Sequence, residues 1–478
     1  MEVYTNCSDL KCEIEKLCRI FFPFEKFVFV DEEKSADIKV ICFEDCVNSS
    51  VKTNDGCFNF SENIETFDLE TTACRTLYRC LCKASNYISK WGILTGVRPA
   101  KLMHRICESI GSENAKSDFE NRLLVSRQKT QLAFEVMKHE NEIISLSKNN
   151  SFSLYISIPF CPTRCSYCSF VSHSVNSQSA KKLVEPYVKL LCKELEETGK
   201  IAKELGLQLE TVYFGGGTPT TLSAKQLTKL FETVESNFDL TNLKEYTVEA
   251  GRPDTVTKEK LLAIKNAGAT RISINPQTFS DEVLETIGRN HNSKQTVEAF
   301  ELACECGFDN INMDLIAGLP DDTVESFKNS VDTAVKLGAQ NITVHSLAMK
   351  TASYMAGNKE KTVCTPKQAN EMVDYSFSTL KSNGYYPYYM YRQSKTVGNL
   401  ENVGWCKDGK DGLYNVYMMD ETHSVFGCGA GAVTKLRSPV DTKIERIYNF
   451  KYPYEYIDRF DEMINRKSGI YEFYKEYR

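Results

Sequence analysis

Between residues 153 and 346 the chain repeats one pattern six times: a short β-rich run, then a helix-length amphipathic segment. The runs are "SLYISI", "LETVYF", "EYTVEA", "TRISIN", "NINMDL" and "NITVHS"; the segments include Lys181 to Glu204, Lys225 to Glu235, Lys258 to Ala267, Ser293 to Cys304 and Thr323 to Leu337. Parallel strands need crossovers of this length, so the alternation predicts one parallel sheet in an α/β fold. Six units fall short of the eight that close a (β/α)8 barrel, and the expectation is an open or partial barrel rather than a flat doubly wound sheet. In either fold ligands bind at the C-terminal ends of the strands.

The first strand runs into "IPFCPTRCSYCSF", which puts Cys161, Cys165 and Cys168 on one loop at that end. Cys-x3-Cys-x2-Cys lets three thiolates serve one centre. A closed zinc site wants a fourth protein ligand, and Ser166, Ser169 and Phe170 do not supply one. A [4Fe-4S] cluster with one iron free of protein ligands suits the spacing better, with zinc and a redox-thiol site as the alternatives. The second strand ends in "VYFGGGTPT", whose Gly215 to Gly217 let backbone approach a ligand, followed by Thr218. Glu249, Gln277 and Asp314 stand near the ends of later strands. Singly each reads as a solvated polar residue; on successive strands of one face they form a polar ring around a cofactor.

The remaining chain frames this region. Residues 1–150 combine an amphipathic stretch from Glu13 to Phe21, strand-like "KFVFVD" and "DIKVICFE", and helical stretches at Asp68 to Ile88 and Asn121 to Ser145, reading as an N-terminal α+β domain with a helical connector. Residues 151–380 are the barrel. Residues 381–478, with "GYYPYYMYR" and "FGCGAGAVTK", read as a mixed C-terminal domain on the substrate side. A net charge of -6 argues against a nucleic-acid binder, which needs a basic face. No apolar run is long enough for a membrane span and the start has no signal-peptide pattern, so the expectation is a cytoplasmic protein. With 19 cysteines, an odd number, and no secretory signal, a disulfide scaffold is not expected, and Cys7, Cys18, Cys42, Cys74, Cys192 and Cys304 read as small reduced core residues.

Cys-x3-Cys-x-aromatic-Cys, with Tyr167 as the aromatic residue, resembles the signature of radical S-adenosylmethionine (SAM) enzymes. That resemblance implies a partial (β/α)6 barrel, a [4Fe-4S] cluster on the three cysteines, and SAM chelating the unique iron and cleaved by one electron to a 5'-deoxyadenosyl radical. A narrower resemblance, over about residues 150 to 440, is to the oxygen-independent coproporphyrinogen III oxidase group. "YISIPFC", "FGGGTPT", Glu249, "NPQTF", "IGRNH", "NMDLIAGLP" and "HSLA" match it in order. It implies one SAM contacted by Tyr155, Gly216, Glu249 and Val433, with Tyr155 and Glu249 nearest the chemistry. A second SAM would be contacted by Tyr167, Gly217, Thr218, Gln277, Arg289, Asp314 and Ala348. "WGILTGVRP" and "YYMYRQSKTVGNLENVGW" most resemble the coproporphyrinogen dehydrogenase branch.

The implied reaction converts propionates of coproporphyrinogen III to vinyl groups with loss of CO2, in porphyrin and haem biosynthesis. It uses a flavodoxin- or ferredoxin-type electron donor and needs an acceptor for the final electron. Arg98, Arg252, Arg271 and Arg392 are candidates for holding the carboxylates, and the tyrosines of "GYYPYYMYR" for facing a tetrapyrrole. The chain departs from the oxidase pattern in three places. Phe170 replaces a cysteine, Ser157 replaces a histidine, and "EAGRP" replaces Glu-Val-Asp-Pro-Arg. The first change also marks related haem chaperones, but their His-Asn-x-x-Tyr-Trp motif is absent from "VGNLENVGW". A haem chaperone and a radical-SAM haem methyltransferase or haem-degrading enzyme are the alternatives.

Overall fold

In the computed structural model, which describes residues 1–23, 25–170, 172–348, 364–393 and 396–477, the first 150 residues carry their own small sheet. Strands β1 (Glu2–Thr5), β2 (Val28–Phe29), β3 (Ile38–Cys42), β4 (Cys46–Thr53) and β5 (Gly56–Asn63) pair in the order β2-β1-β3-β4-β5. Helices α1 (Lys11–Phe21) and α2 (Leu69–Ser85) pack together, α2 lying on β4 and β5. Asp68 starts α2 by accepting the Thr71 N–H at 2.8 Å, the usual side-chain cap for an orphan donor. Helices α3 (Pro99–Ile110), α4 (Ser112–Asn121) and α5 (Arg127–Ile144) form the connector.

All six apolar runs of the middle region become strands. After β6 (Ser151–Ile158), a short pair, β7 (Phe160–Cys161) and β8 (His173–Ser174), stands in the cysteine loop. Then follow β9 (Gln208–Gly216), β10 (Glu245–Glu249), β11 (Arg271–Ser273), β12 (Ile311–Ala317) and β13 (Asn341–Ser346). The crossovers carry α6 (Gln178–Glu204), α7 (Ala224–Asn237), α8 (Lys258–Asn266), α9 (Asp281–Thr286), α10 (Ser293–Glu305) and α11 (Val324–Leu337). The order β6-β9-β10-β11-β12-β13 is parallel throughout, a partial (β/α)6 barrel. Phe152, Leu154, Ile156, Val212, Phe214, Val248, Ile272, Met313 and Leu315 are buried within it, as expected of strands covered on both sides.

The C-terminal region does not stand apart as an appended domain. After α12 (Pro366–Ser382), β15 (Glu401–Cys406) adds antiparallel to β13, and β14 (Tyr386–Arg392) pairs antiparallel with β15 outside it. Past α13 (Leu413–Asp420), β16 (Ser424–Cys428) pairs parallel with β6, and β17 (Val433–Arg437) and β18 (Ile444–Tyr448) extend that edge. The chain closes with α14 (Pro453–Asp458), α15 (Phe460–Arg466) and α16 (Ser468–Lys475). One sheet of 11 strands results, because an open barrel has two unpaired edges and these strands satisfy both. The connector joins it through a buried polar triad, in which Glu401 accepts Trp91 Nε1 at 2.7 Å and pairs with Lys129 at 2.5 Å. Cys304, expected in the core, is exposed on α10. Among the described residues no helix is long and apolar enough to cross a membrane.

Candidate functional site

The strand tips enclose a cavity of about 480 Å3. Cys161, Cys165 and Cys168 line it together with Tyr155, Tyr167, Gly216, Gly217, Thr218, Glu249, Gln277, Arg289, Asp314 and Ala348. Val433 is the one expected contact not on its wall: it sits on β17, two strands out from the barrel edge, with its backbone packed against Gly427.

The glycine loop grips the cysteine loop. Gly217 N–H donates to Ile158 O and Thr218 N–H to Phe160 O, both at 2.8 Å. A Cβ on Gly217 would lie 2.6 Å from Phe160 O and 3.0 Å from Cys161 Sγ, so only glycine fits there. Gly216 takes φ +101°, a conformation other residues reach at a cost. Thr218 Oγ1 donates toward Cys161 Sγ at 3.5 Å. Buried Arg252 directs Nη1 toward Cys165 Sγ at 3.7 Å. Burial raises the Cys161 thiol and pushes Cys168 up to about 11, so ligation has to displace their protons. Among the described residues no group of three His, Cys, Asp or Glu converges as a single-ion site would require. The thiols instead line one wall beside N–H and O–H donors to sulfur. That set fits an iron–sulfur cube, whose thiolates bind different irons, better than zinc.

The rest of the lining is acidic and aromatic. Glu249 accepts Tyr213 OH at 2.6 Å, and burial, helped by Asp314, pushes its carboxyl up to about 7 against that bond. Asp314 is half-buried, and His345 and the Asn312 amide, 2.7 Å away, more than offset its desolvation and hold it below the usual range. Tyr155, Tyr213 and Tyr414 stack, with centroids 6.2 Å apart from Tyr155 to Tyr213 and 4.4 Å from Tyr213 to Tyr414. Arg289 Nη1 donates to Asn275 O and Nη2 to Tyr167 OH, at 2.5 and 3.1 Å. Gln277 sits at φ +70° while its backbone bridges to β12, so its tip is fixed by strained backbone.

The four arginine candidates separate. Arg252 and Arg271 line the cavity. Arg98 pairs with Glu421 at 2.6 Å, and Arg392 is spent on the carbonyls of Leu94, Gly96 and Asn399, so both are structural. Of the tyrosine-rich strand, Tyr389 and Tyr391 reach the cavity, whereas Tyr388 packs away from it. Phe170 lies at the rim, 63% exposed. Tyr213, Tyr414, Asn275, Asn312 and His345 were not singled out in the sequence. Tyr213 had a signal, since it precedes Gly215 by two on a strand and shares its face. Tyr414 had none, because α13 reaches the cavity only through tertiary packing.

Residues 155–334 match the Radical SAM superfamily. The chain is 38% identical over 388 residues to the oxygen-independent coproporphyrinogen-III oxidase-like protein HemZ of Bacillus subtilis, covering 80% of this chain and 77% of that protein. It is 36% identical over 312 residues to the heme chaperone HemW of the same organism, covering 63% and 77%. Its fold is similar to coproporphyrinogen III oxidase HemN of Escherichia coli, a radical SAM enzyme, with TM-score 0.52, 21% identity, and coverage of 68% of this chain and 72% of that one.

Proposed function

We propose a reaction for this chain on the premise that it belongs to the radical SAM superfamily, in the group of oxygen-independent coproporphyrinogen-III oxidase-like proteins. A [4Fe-4S] cluster and SAM come with that membership. The proposal is oxidative decarboxylation of coproporphyrinogen III propionates to vinyl groups. Each propionate R–CH2–CH2–COO− loses a hydrogen atom, CO2 and one electron to give R–CH=CH2. The electron passes to a one-electron acceptor, and a flavodoxin- or ferredoxin-type protein supplies the reducing electron.

When bound, cluster and SAM supply a carbon-centred radical able to take an unactivated hydrogen atom. The chain's residues hold and shield. Cys161, Cys165 and Cys168 would ligate the cluster. Tyr155, Gly216 and Glu249 would hold one SAM, and Tyr167, Gly217, Thr218, Gln277, Arg289, Asp314 and Ala348 a second. The observation that carries this is that the three thiols share one cavity wall with two half-buried carboxylates, Glu249 and Asp314, and that the Glu249 carboxyl is pushed up. A buried acid whose pKa is raised is relieved by a cation, and SAM brings a sulfonium and an ammonium. The stacked tyrosines would shield the reacting atoms from water. A cavity of about 480 Å3 is too small to enclose a tetrapyrrole as well as cluster and SAM, so the macrocycle would lie at the mouth against Phe170 and send a propionate arm inward.

The test is anaerobic reconstitution with SAM, reductant and coproporphyrinogen. CO2 release with formation of protoporphyrinogen is expected. No product, together with stoichiometric haem binding, would overturn the reading in favour of a haem chaperone, which Phe170 and the likeness to HemW make the second reading. A methylated or ring-opened haem would overturn it in favour of the third.

A further inference from the structure

We infer that Arg252 tunes the reduction potential of the cluster held by Cys161, Cys165 and Cys168, through a fixed charge and an N–H donor aimed at the Cys165 sulfur. The residue belongs to "EAGRP", where the chain leaves the oxidase pattern, so the contact comes from this chain's own loop.

Arg252 is 3% exposed, and its fork is divided between two tasks. Nε and Nη2 grip Asp254 at 3.1 and 3.2 Å, which fixes the guanidinium plane. Nη2 also donates to Thr163 Oγ1 at 3.1 Å, while Nη1 reaches Thr163 O at 3.5 Å and Cys165 Sγ at 3.7 Å. Arg252 is thus pinned across the cysteine loop with one N–H edge facing sulfur. Arg289 faces the same thiol, and His291 Nδ1 lies 3.9 Å from Asp254 on the far side.

Reduction of a cluster held there, by one electron from an external low-potential donor, would make the cluster and its thiolate shell more negative by one charge, with no bond or proton exchanged. A buried cation and a hydrogen bond to sulfur favour the more negative state and raise the potential. Burial leaves that charge poorly screened by salt. Asp254 opposes it, since its carboxylate offsets part of the guanidinium charge. The pair therefore sets the potential by difference, and its two members act with opposite signs.

That opposition is the test. The full chain, reconstituted anaerobically without SAM or substrate, is titrated with dithionite and mediators while the reduced cluster is followed by electron paramagnetic resonance, with iron counted in each variant. Arg252→Gln is expected to cut the reduced-to-oxidised ratio at fixed potential about tenfold, a fall of about 59 mV for one electron. Arg252→Lys should fall less, and Asp254→Asn should rise. An unmoved midpoint in Arg252→Gln overturns the inference. So does a shift of Arg252→Gln and Asp254→Asn in the same direction, which is what a merely loosened loop gives. If Arg252→Gln takes up less than the full iron complement, Asp254→Asn decides alone: a rise supports the inference and no rise overturns it. No substrate enters the measurement, so its outcome is independent of the porphyrinogen reading.

Discussion

Lys467→Met tests how the C-terminal helices hold the strand from which the cluster loop springs. Lys467 and Glu194 are 2% and 0% exposed, and their charged atoms lie 2.9 Å apart. Glu194 Oε2 also accepts Gly429 N–H and Tyr456 OH, and Oε1 accepts Asn449 Nδ2, each at 2.7 Å. Beyond Gly429, the Ala430 N–H donates to Tyr187 OH, which donates to Ser157 O at the tip of β6. Methionine keeps the stem and removes the ammonium, leaving a buried carboxylate with neutral donors only. At 2.9 Å and an effective dielectric of about 20 the lost attraction is roughly 6 kcal/mol, and relaxation brings the net cost to about 3–5 kcal/mol. Urea unfolding followed by tryptophan fluorescence would read this as a lower midpoint at unchanged slope. Glu194→Gln/Lys467→Met removes both charges and leaves one mismatched amide, so it should cost only about 1–3 kcal/mol. A single variant within about 1 kcal/mol of the parent, the value of a solvent-screened pair, would refute the reasoning. So would a double variant less stable than the single.

Three further outcomes are expected. Gly217→Ala puts a methyl 2.6 Å from Phe160 O, a backbone atom that cannot step aside, and should lose most of the iron–sulfur absorbance with unchanged far-ultraviolet circular dichroism. Glu249 titrates near 7, so its ionised fraction and its attraction for a cationic ligand climb between about pH 6 and pH 8; equilibrium dialysis should show SAM affinity rising about tenfold over that range and a flat profile in Glu249→Gln. His423 is buried between Ser147 and Ser153 at 2.8 and 2.7 Å and held down to about 3, below its ordinary 6.5. The unfolded chain therefore binds the extra proton in that window, so stability present above 6.5 is lost as pH falls toward 3, and His423→Gln should flatten the acid limb of a urea-midpoint profile.

The six barrel strands were legible because short β-rich runs alternate with helix-length amphipathic segments, the spacing that parallel strands and their crossovers demand. The cysteines, the glycine loop and the strand-tip acids followed from placing motifs on that frame. What escaped was chemistry delivered from elsewhere. β4, "CVNSSVKT", buries Val47 and Val51 among small polar residues, so its alternation was too weak to read. α3 and α4 lay hidden behind the Gly-Val-Arg-Pro turn. The tyrosines of "GYYPYYMYR" read as candidates for facing a tetrapyrrole, whereas β14 is a strand that splits them between core and cavity. Val433 was placed by likeness alone; it stands on β17 with its backbone against Gly427, whose partner on β6 is Tyr155.

The two ends of the chain seal the same barrel. An open six-stranded barrel exposes two ladders of unpaired backbone groups and an open floor, any of which admits water. β15 covers one edge and is tied to the N-terminal connector by the Trp91–Glu401–Lys129 triad. β16 covers the other and is tied to α16 through Glu194 and Lys467. The floor is met by α13, whose first N–H groups, on Leu413 and Tyr414, are capped by the Glu245 carboxylate at 2.6 and 3.4 Å while Tyr414 stacks on Tyr213 inside the cavity. A Cβ on Gly412 would lie 1.8 Å from Arg271 Nη1 and 2.8 Å from Tyr388 OH, so a larger residue there has to displace the Arg271 side chain buried beneath this plug. Enclosure of the site is thus a property of the whole chain rather than of the barrel alone, and the polar ties at its edges and floor bear on radical chemistry as directly as the residues that line the cavity.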